Sequence, residues 1–263
     1  MPGVNTVVLA IPLGIAIGLV VGTVGGGGAI LALPVLVYIL GEEIGPASTA
    51  SLVVVAIAAA AGAGGLALRG QVCWRIALTF TAPAAAGALL GTIASTAVSA
   101  EVLILAFVPV MLVASGATWQ RAAQVSCDRT GNCPPVPARP IVLAGLGVGG
   151  LTGFFGVGGG FLIVPVLALW FGFSFRRAVA TSLVIITLTG CAALVSHLVL
   201  GAAVEVGVTI ALALSTGVGA LVGALFAQRV PQALLGRAFA VVVGLLAVFL
   251  LVDTLLLGGP PTG

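Results

Sequence analysis

Charge is what this sequence lacks most. Of 263 residues only 6% are charged, against roughly 25% in soluble domains. A fold so poor in charge could not cover its own surface in water. With 61% hydrophobic residues and a mean hydropathy of +1.36, most of that surface is built for lipid. Lysine is absent, and the nine basic residues are all arginines in connecting segments. That placement excludes a basic nucleic-acid-binding face and reads instead as a topology signal. Catalytic signatures are missing too: there is no HExxH, no GxSxG, no Walker A sequence and no pair of carboxylates within one apolar segment. The reading is a non-enzyme without cofactor or metal site.

Length sets the next bound. A spanning helix needs about 20 apolar residues, so this chain has room for ten or so segments with short loops and none for a separate soluble domain. Ten apolar segments are found, near 4–22, 28–40, 47–66, 76–95 and 101–117, then 140–156, 159–171, 178–199, 206–227 and 237–257. The stretch from Val4 to Val21 lacks a basic flank and a clear cleavage site, and is read as part of the fold.

The chain repeats itself. Gly22, Gly25, Gly27, Gly28, Pro34, Val35 and Leu36 find identical partners at one constant offset in Gly153, Gly156, Gly158, Gly159, Pro165, Val166 and Leu167. The same offset pairs Gly41 with Gly172, Ser51-Leu52-Val53 with Ser182-Leu183-Val184, and Gly70 with Gly201. After a one-residue insertion, Gly87 and Gly91 meet Gly219 and Gly223. Apolar residues match by chance, but glycine and proline held in register over this distance do not. Two homologous membrane halves, 1–118 and 140–263, are therefore expected around a polar linker, 119–139.

Arginine placement gives the halves an orientation. In the first half Glu42 and Glu43 precede the third segment, Arg69 and Arg75 follow it, and Glu101 comes next. In the second half the equivalent turns carry Arg176 and Arg177, then Glu205, then Arg229 and Arg237. The pattern is reversed, so by the positive-inside rule the two copies have opposite orientations, with the linker (Arg121, Arg129, Arg139) in the cytoplasm and both termini outside. The expected fold is an all-α integral membrane protein of two inverted-topology repeats. Each repeat holds a glycine-rich broken or re-entrant helix pair plus three transmembrane helices, because the second segment of each half is too short to span as a helix.

Inverted repeats with glycine-interrupted short segments point to a transport site at the membrane midplane. A helix that starts inside the membrane leaves its first N–H groups unpaired, at several kcal/mol each in hydrocarbon. Facing a cavity, those donors and the helix dipole suit an anion. The runs Gly25, Gly26, Gly27 and Gly28, and Gly156, Gly158, Gly159 and Gly160, are the candidate substrate-binding backbone. Close helix packing is the competing reading, and it is preferred for Gly14, Gly18 and Gly22 and for Gly145, Gly149 and Gly153. Thr49, Ser51, Thr181 and Ser182 open the third segments, where their hydroxyls either line the same cavity or cap helices. Pro34 and Pro165 are read as helix breaks.

The remaining chemistry-bearing residues are few. His197 has no counterpart in the other half, where Leu66 stands, and is read as interfacial or packed rather than a proton relay. Cys73 and Cys191 are read as small hydrophobes. For Cys127 and Cys133 a loop disulfide and a metal pair stay open, with unpaired thiols preferred in a reducing cytoplasm.

The paired Gly22–Leu36 and Gly153–Leu167 stretches, each followed by a Ser-Leu helix opening at Ala47–Leu52 and Ala178–Leu183, resemble the TauE/SafE sulfite exporter family. So does the turn from Gly70 through Val72 to Trp74, although the second half lacks the tryptophan. The resemblance covers nearly the whole chain apart from the linker. It implies a secondary transporter in a bacterial plasma membrane that exports or takes up sulfite, thiosulfate or an organosulfonate. Coupling to a proton or Na+ gradient goes with that reading, and monomer and homodimer both stay open. Val157 stands where Gly26 stands in the first run, so two equivalent half-sites are not expected. An anion channel on the same scaffold, or a membrane partner subunit that transports nothing, are the alternatives.

Overall fold

The computed structural model describes residues 4–26, 32, 35–39, 44–95, 97–98, 100–122, 133, 135–155, 160–199 and 206–256. Among them are nine α-helices and no strand. The first half holds α1 (Val4–Val24), α2 (Ile44–Ala67), α3 (Trp74–Ser95) and α4 (Ala100–Ala122). The second holds α5 (Ala138–Phe155), the short α6 (Gly160–Pro165), α7 (Phe175–Val199), α8 (Val206–Ala227) and α9 (Gln232–Leu256). Six of these are long and apolar enough to cross a membrane, and 9–24 and 105–120 are shorter apolar helical stretches. The protein is a multi-pass membrane protein.

Nine of the ten expected apolar segments appear as helices, and of the one expected at 28–40 only Ala32 and Val35–Ile39 lie within the described residues. The short second segment of the second half is α6, which runs on into a π-helical turn at Val166–Trp170. A π-helical turn stands at the register-equivalent place in the first half, Val35–Ile39. Each follows a proline in sequence. Pro has no N–H to give the preceding turn, and the wider i→i+5 pattern is one way a helix absorbs that defect.

Packing follows small residues. Methyl groups placed on Gly18 and Gly22 of α1 would lie 2.1 Å from the carbonyl oxygens of Thr216 and Ala220 in α8. Methyls on Gly149 and Gly153 of α5 would meet the carbonyls of Ala84 and Ala88 in α3 at 2.1 and 2.0 Å. Backbone approaches backbone at both crossings, which only glycine allows. α2 and α7 pack on each other at the centre, and α4 packs along α9. Ala178 to Ile186 of α7 are all buried. The periphery, by contrast, is apolar: Leu90, Ile93, Leu143, Leu245 and Phe249 are exposed. Apolar side chains outside and small residues at the helix crossings fit a lipid solvent.

One end of the bundle is laced together. Gln71, in the turn between α2 and α3, donates from Nε2 to Gln228 Oε1 in the turn between α8 and α9. Arg176, at the start of α7, donates to the Val230 carbonyl at 2.8 Å. The Phe175 N–H donates to Gln232 Oε1 at 3.1 Å, and the Arg237 guanidinium lies over the Trp119 ring at the end of α4. Cys73 and Cys133 form a disulfide at this same end. This corrects the reading of Cys73 as an inert hydrophobe and of Cys133 as an unpaired thiol. In sequence, Cys127 is the only cysteine near Cys133. The fold instead brings Cys133 onto a residue 60 positions earlier.

Candidate functional site

Gly26 of the first run meets Gly160 of the second. Gly25 ends α1: its N–H donates to Val21 O at 2.8 Å, and its φ of +80° is the left-handed conformation that closes a helix at low cost only for glycine. With its N–H used in this bond, Gly25 shapes the turn and presents no free donor. A methyl on Gly26 would lie 2.0 Å from the carbonyl carbon and oxygen of Gly160, the first residue of α6. The backbones of the two halves are therefore in contact at this point. Gly27, Gly28, Gly156, Gly158 and Gly159 lie outside the described residues, as does Pro34. Pro165 is buried as the last residue of α6.

The α7 hydroxyls sit beside this junction. A methyl on Gly25 would come within 3.3 Å of Ser182 Oγ, so Ser182 from the second half neighbours the end of α1 from the first. Ser182 is fully buried and donates back to Val179 O at 2.9 Å. Thr181, equally buried, accepts the Cys73 N–H at 3.2 Å. It thus ties the α2–α3 turn to α7 and acts there as a capping oxygen. Thr49 is buried in α2, and Ser51 is half-buried in the same helix.

One residue carried no signal in the sequence. Thr209 of α8 is buried, and its Oγ1 has no hydrogen-bond partner among the described residues. It follows Val208, which packs with Ala10, Leu36, Ala50 and Val54, between α1, the first π-helical turn and α2. A lone threonine in an apolar helix looks like any other, although its spacing of seven from the buried Thr216 puts both on one face. A cleft of about 460 Å³ between α4 and α6, lined by Pro109, Val113, Leu162, Pro165 and Trp170, is apolar throughout and offers an anion nothing. No group of three or more His, Cys, Asp or Glu side chains converges on a metal site among the described residues.

Comparison with known proteins agrees with this architecture. Residues 10–250 match the family model described as Sulfite exporter TauE/SafE. A probable membrane transporter protein of Xylella fastidiosa strain Temecula1 is 30% identical over 256 residues, covering 94% of this chain and 96% of that protein. A probable membrane transporter protein of Methanocaldococcus jannaschii is 44% identical over 59 residues, 22% of each chain. No solved structure matches. With a match across nearly its whole length, the chain belongs to the TauE/SafE sulfite exporter family.

Proposed function

We propose that this protein is a secondary transporter for a small sulfur-containing anion, such as sulfite, thiosulfate or an organosulfonate, held where the two glycine runs meet. The observation that carries the site is the approach of Gly26 to Gly160, with Gly25 and Ser182 beside them. Each half contributes backbone to one place, and that place is walled by buried, uncharged residues. Backbone N–H groups and hydroxyls then recognise the anion without a buried arginine, which keeps binding weak enough for release. Family membership and the relatives' names support transport, and they support a carrier in preference to an enzyme.

The inverted arrangement supports alternating access. α1 packs on α8 and α5 on α3, and in sequence register α5 is the counterpart of α1 and α8 the counterpart of α3. The C-terminal end of α2 lies at the same end of the bundle as the N-terminal end of its counterpart α7. Two copies so related exchange roles when the site opens first to one side and then to the other. The laced end carries the arginine-bearing turns and is the cytoplasmic one by the positive-inside rule.

Calorimetric titration of the purified protein with sulfite, thiosulfate and sulfoacetate tests the reading. One of these anions is expected to bind in the micromolar-to-millimolar range common for carriers, roughly −8 to −4 kcal/mol. Gly27→Ala/Gly158→Ala, as a double variant, is expected to abolish binding, and Ser182→Ala to weaken it about tenfold, the loss of one hydrogen bond. Wild-type affinity in both variants, with folding verified by melting, would move the site elsewhere. Absence of binding by every sulfur anion would remove the substrate class.

A further inference from the structure

The disulfide at the laced end stands next to a cation. Arg177 Nη1 donates to Cys133 Sγ at 3.6 Å and to Cys73 Sγ at 3.9 Å. Cys133 is exposed, whereas Cys73 is buried. Arg177 precedes Thr181 by one helical turn on α7, so it lies on the face whose threonine accepts the Cys73 N–H. Ser182, the next residue, neighbours the glycine junction. Arg177 beside the disulfide, Thr181 and Ser182 thus follow one another along α7 from its N-terminal end toward the proposed site.

A disulfide facing the cytoplasm is out of place as a structural staple. In that compartment such bonds are transient, and they are used for catalysis or sensing. A disulfide is attacked by sulfur nucleophiles in line with the S–S bond, faster when the leaving sulfur is stabilised as a thiolate. An exposed Cys133, a buried Cys73 as the leaving sulfur and a guanidinium hydrogen-bonded to both sulfurs stand together here.

We infer that Cys73, Cys133 and Arg177 form a reversible capture site for a sulfur oxyanion with a nucleophilic sulfur, sulfite in the first place. The inference rests on the sulfur-anion reading of the transport site and deepens it. The lone pair on the sulfite sulfur attacks Cys133 Sγ and forms a new S–S bond. The Cys73–Cys133 bond breaks, and its electron pair leaves on Cys73 Sγ as a thiolate, which takes a proton from water. The products are Cys133 S-sulfonate and a Cys73 thiol. Sulfite sulfur is oxidised and the disulfide is reduced, so no further oxidant or reductant enters. In reverse, the Cys73 thiolate attacks Cys133 Sγ, expels sulfite and restores the disulfide. Arg177 draws the anion in and stabilises the thiolate and the sulfonate. Sulfate and alkyl sulfonates, with no lone pair on sulfur, bind electrostatically but do not react. Capture also cuts the tether between the linker and the α2–α3 turn.

The test uses the full chain, oxidised, in lipid nanodiscs, with sodium sulfite as probe and sodium sulfate as control. Peptide mass mapping is expected to find one sulfonate on Cys133 and one new thiol at Cys73 with sulfite, and neither with sulfate. Arg177→Gln is expected to slow the addition about tenfold, the loss of a charge-assisted hydrogen bond, and Arg177→Lys to recover most of the rate. Unmodified Cys133, sulfonate on Cys73 with the thiol at Cys133 instead, or an unchanged rate in Arg177→Gln overturns the inference. Sulfite binding by Cys73→Ser/Cys133→Ser separates the two claims. Binding there, with no adduct in the wild type, defeats capture alone. An adduct in the wild type with no binding in the variant keeps capture and defeats the transport site.

Discussion

Glycines on one helix differ in what surrounds them. In α5, a methyl on Gly149 would sit 2.1 Å from the Ala84 carbonyl oxygen, while one on Gly147 would meet nothing within 4 Å. Gly149→Ala is therefore expected to push α3 and α5 apart and to cost about 1–3 kcal/mol, the usual range for overpacking. Gly147→Ala removes backbone freedom in an open position and is expected to be neutral or to stabilise by up to about 1 kcal/mol. Unfolding in mixed micelles compares the two, and equal effects would contradict the packing assigned to this crossing. Spacing alone marks Gly145, Gly149 and Gly153 as a stripe, because packing in lipid runs on such stripes. Nothing in the sequence named α3 as the partner. The cysteines show the same limit more sharply: each was legible as a thiol, but which two would meet depends on how a 60-residue stretch folds back.

At the scale of elements, the sequence was legible wherever backbone geometry forces a residue type. Glycine at a left-handed helix end and proline before a π-helical turn cannot drift freely, so Gly25, Pro34 and Pro165 stayed in register between the halves and exposed the repeat. The short second segment of the second half was legible for the same reason, since it begins beside a glycine run and holds too few residues to span; the one expected at 28–40 lies mostly outside the described residues. Partners of the hydroxyls were not legible. Thr181 and Ser182 are adjacent in sequence, yet one caps the α2–α3 turn and the other borders the glycine junction, a split set only by the direction in which each side chain leaves α7. The junction itself is a claim about elements, because Gly26 follows the end of α1 and Gly160 opens α6. Gly26→Ala is expected to separate them and to abolish anion binding, with helix content unchanged by circular dichroism. Gly64→Ala, with nothing within 4 Å of the added methyl, serves as control and is expected to bind like the wild type. Full binding by Gly26→Ala would place the anion away from the junction.

For the whole molecule, the lacing at the arginine-bearing end has a direct consequence. Gln71 with Gln228 joins a turn of the first half to one of the second across one mouth of the bundle, while Arg176 with the Val230 carbonyl and Phe175 with Gln232 tie the start of α7 to the α8–α9 turn within the second half. Each bond is polar and part-buried, worth about 1 kcal/mol net. A few such bonds close a mouth firmly, yet a differential interaction of a few kcal/mol with substrate reverses the balance. This is the range a gate requires. With Cys73, Cys127, Cys133 and Cys191 replaced by serine, Gln71→Cys/Gln228→Cys provides two thiols across the mouth for a short, reducible bis-methanethiosulfonate linker. The linked protein is expected to bind sulfite from the opposite side while net transport in proteoliposomes falls to background, and reductant is expected to restore transport. Binding tests the site and transport tests the mouth, so the two readouts separate a blocked gate from a damaged protein. Transport at the unlinked rate with the linker in place would mean that this end does not open during the cycle, and the path would then have to leave the bundle elsewhere.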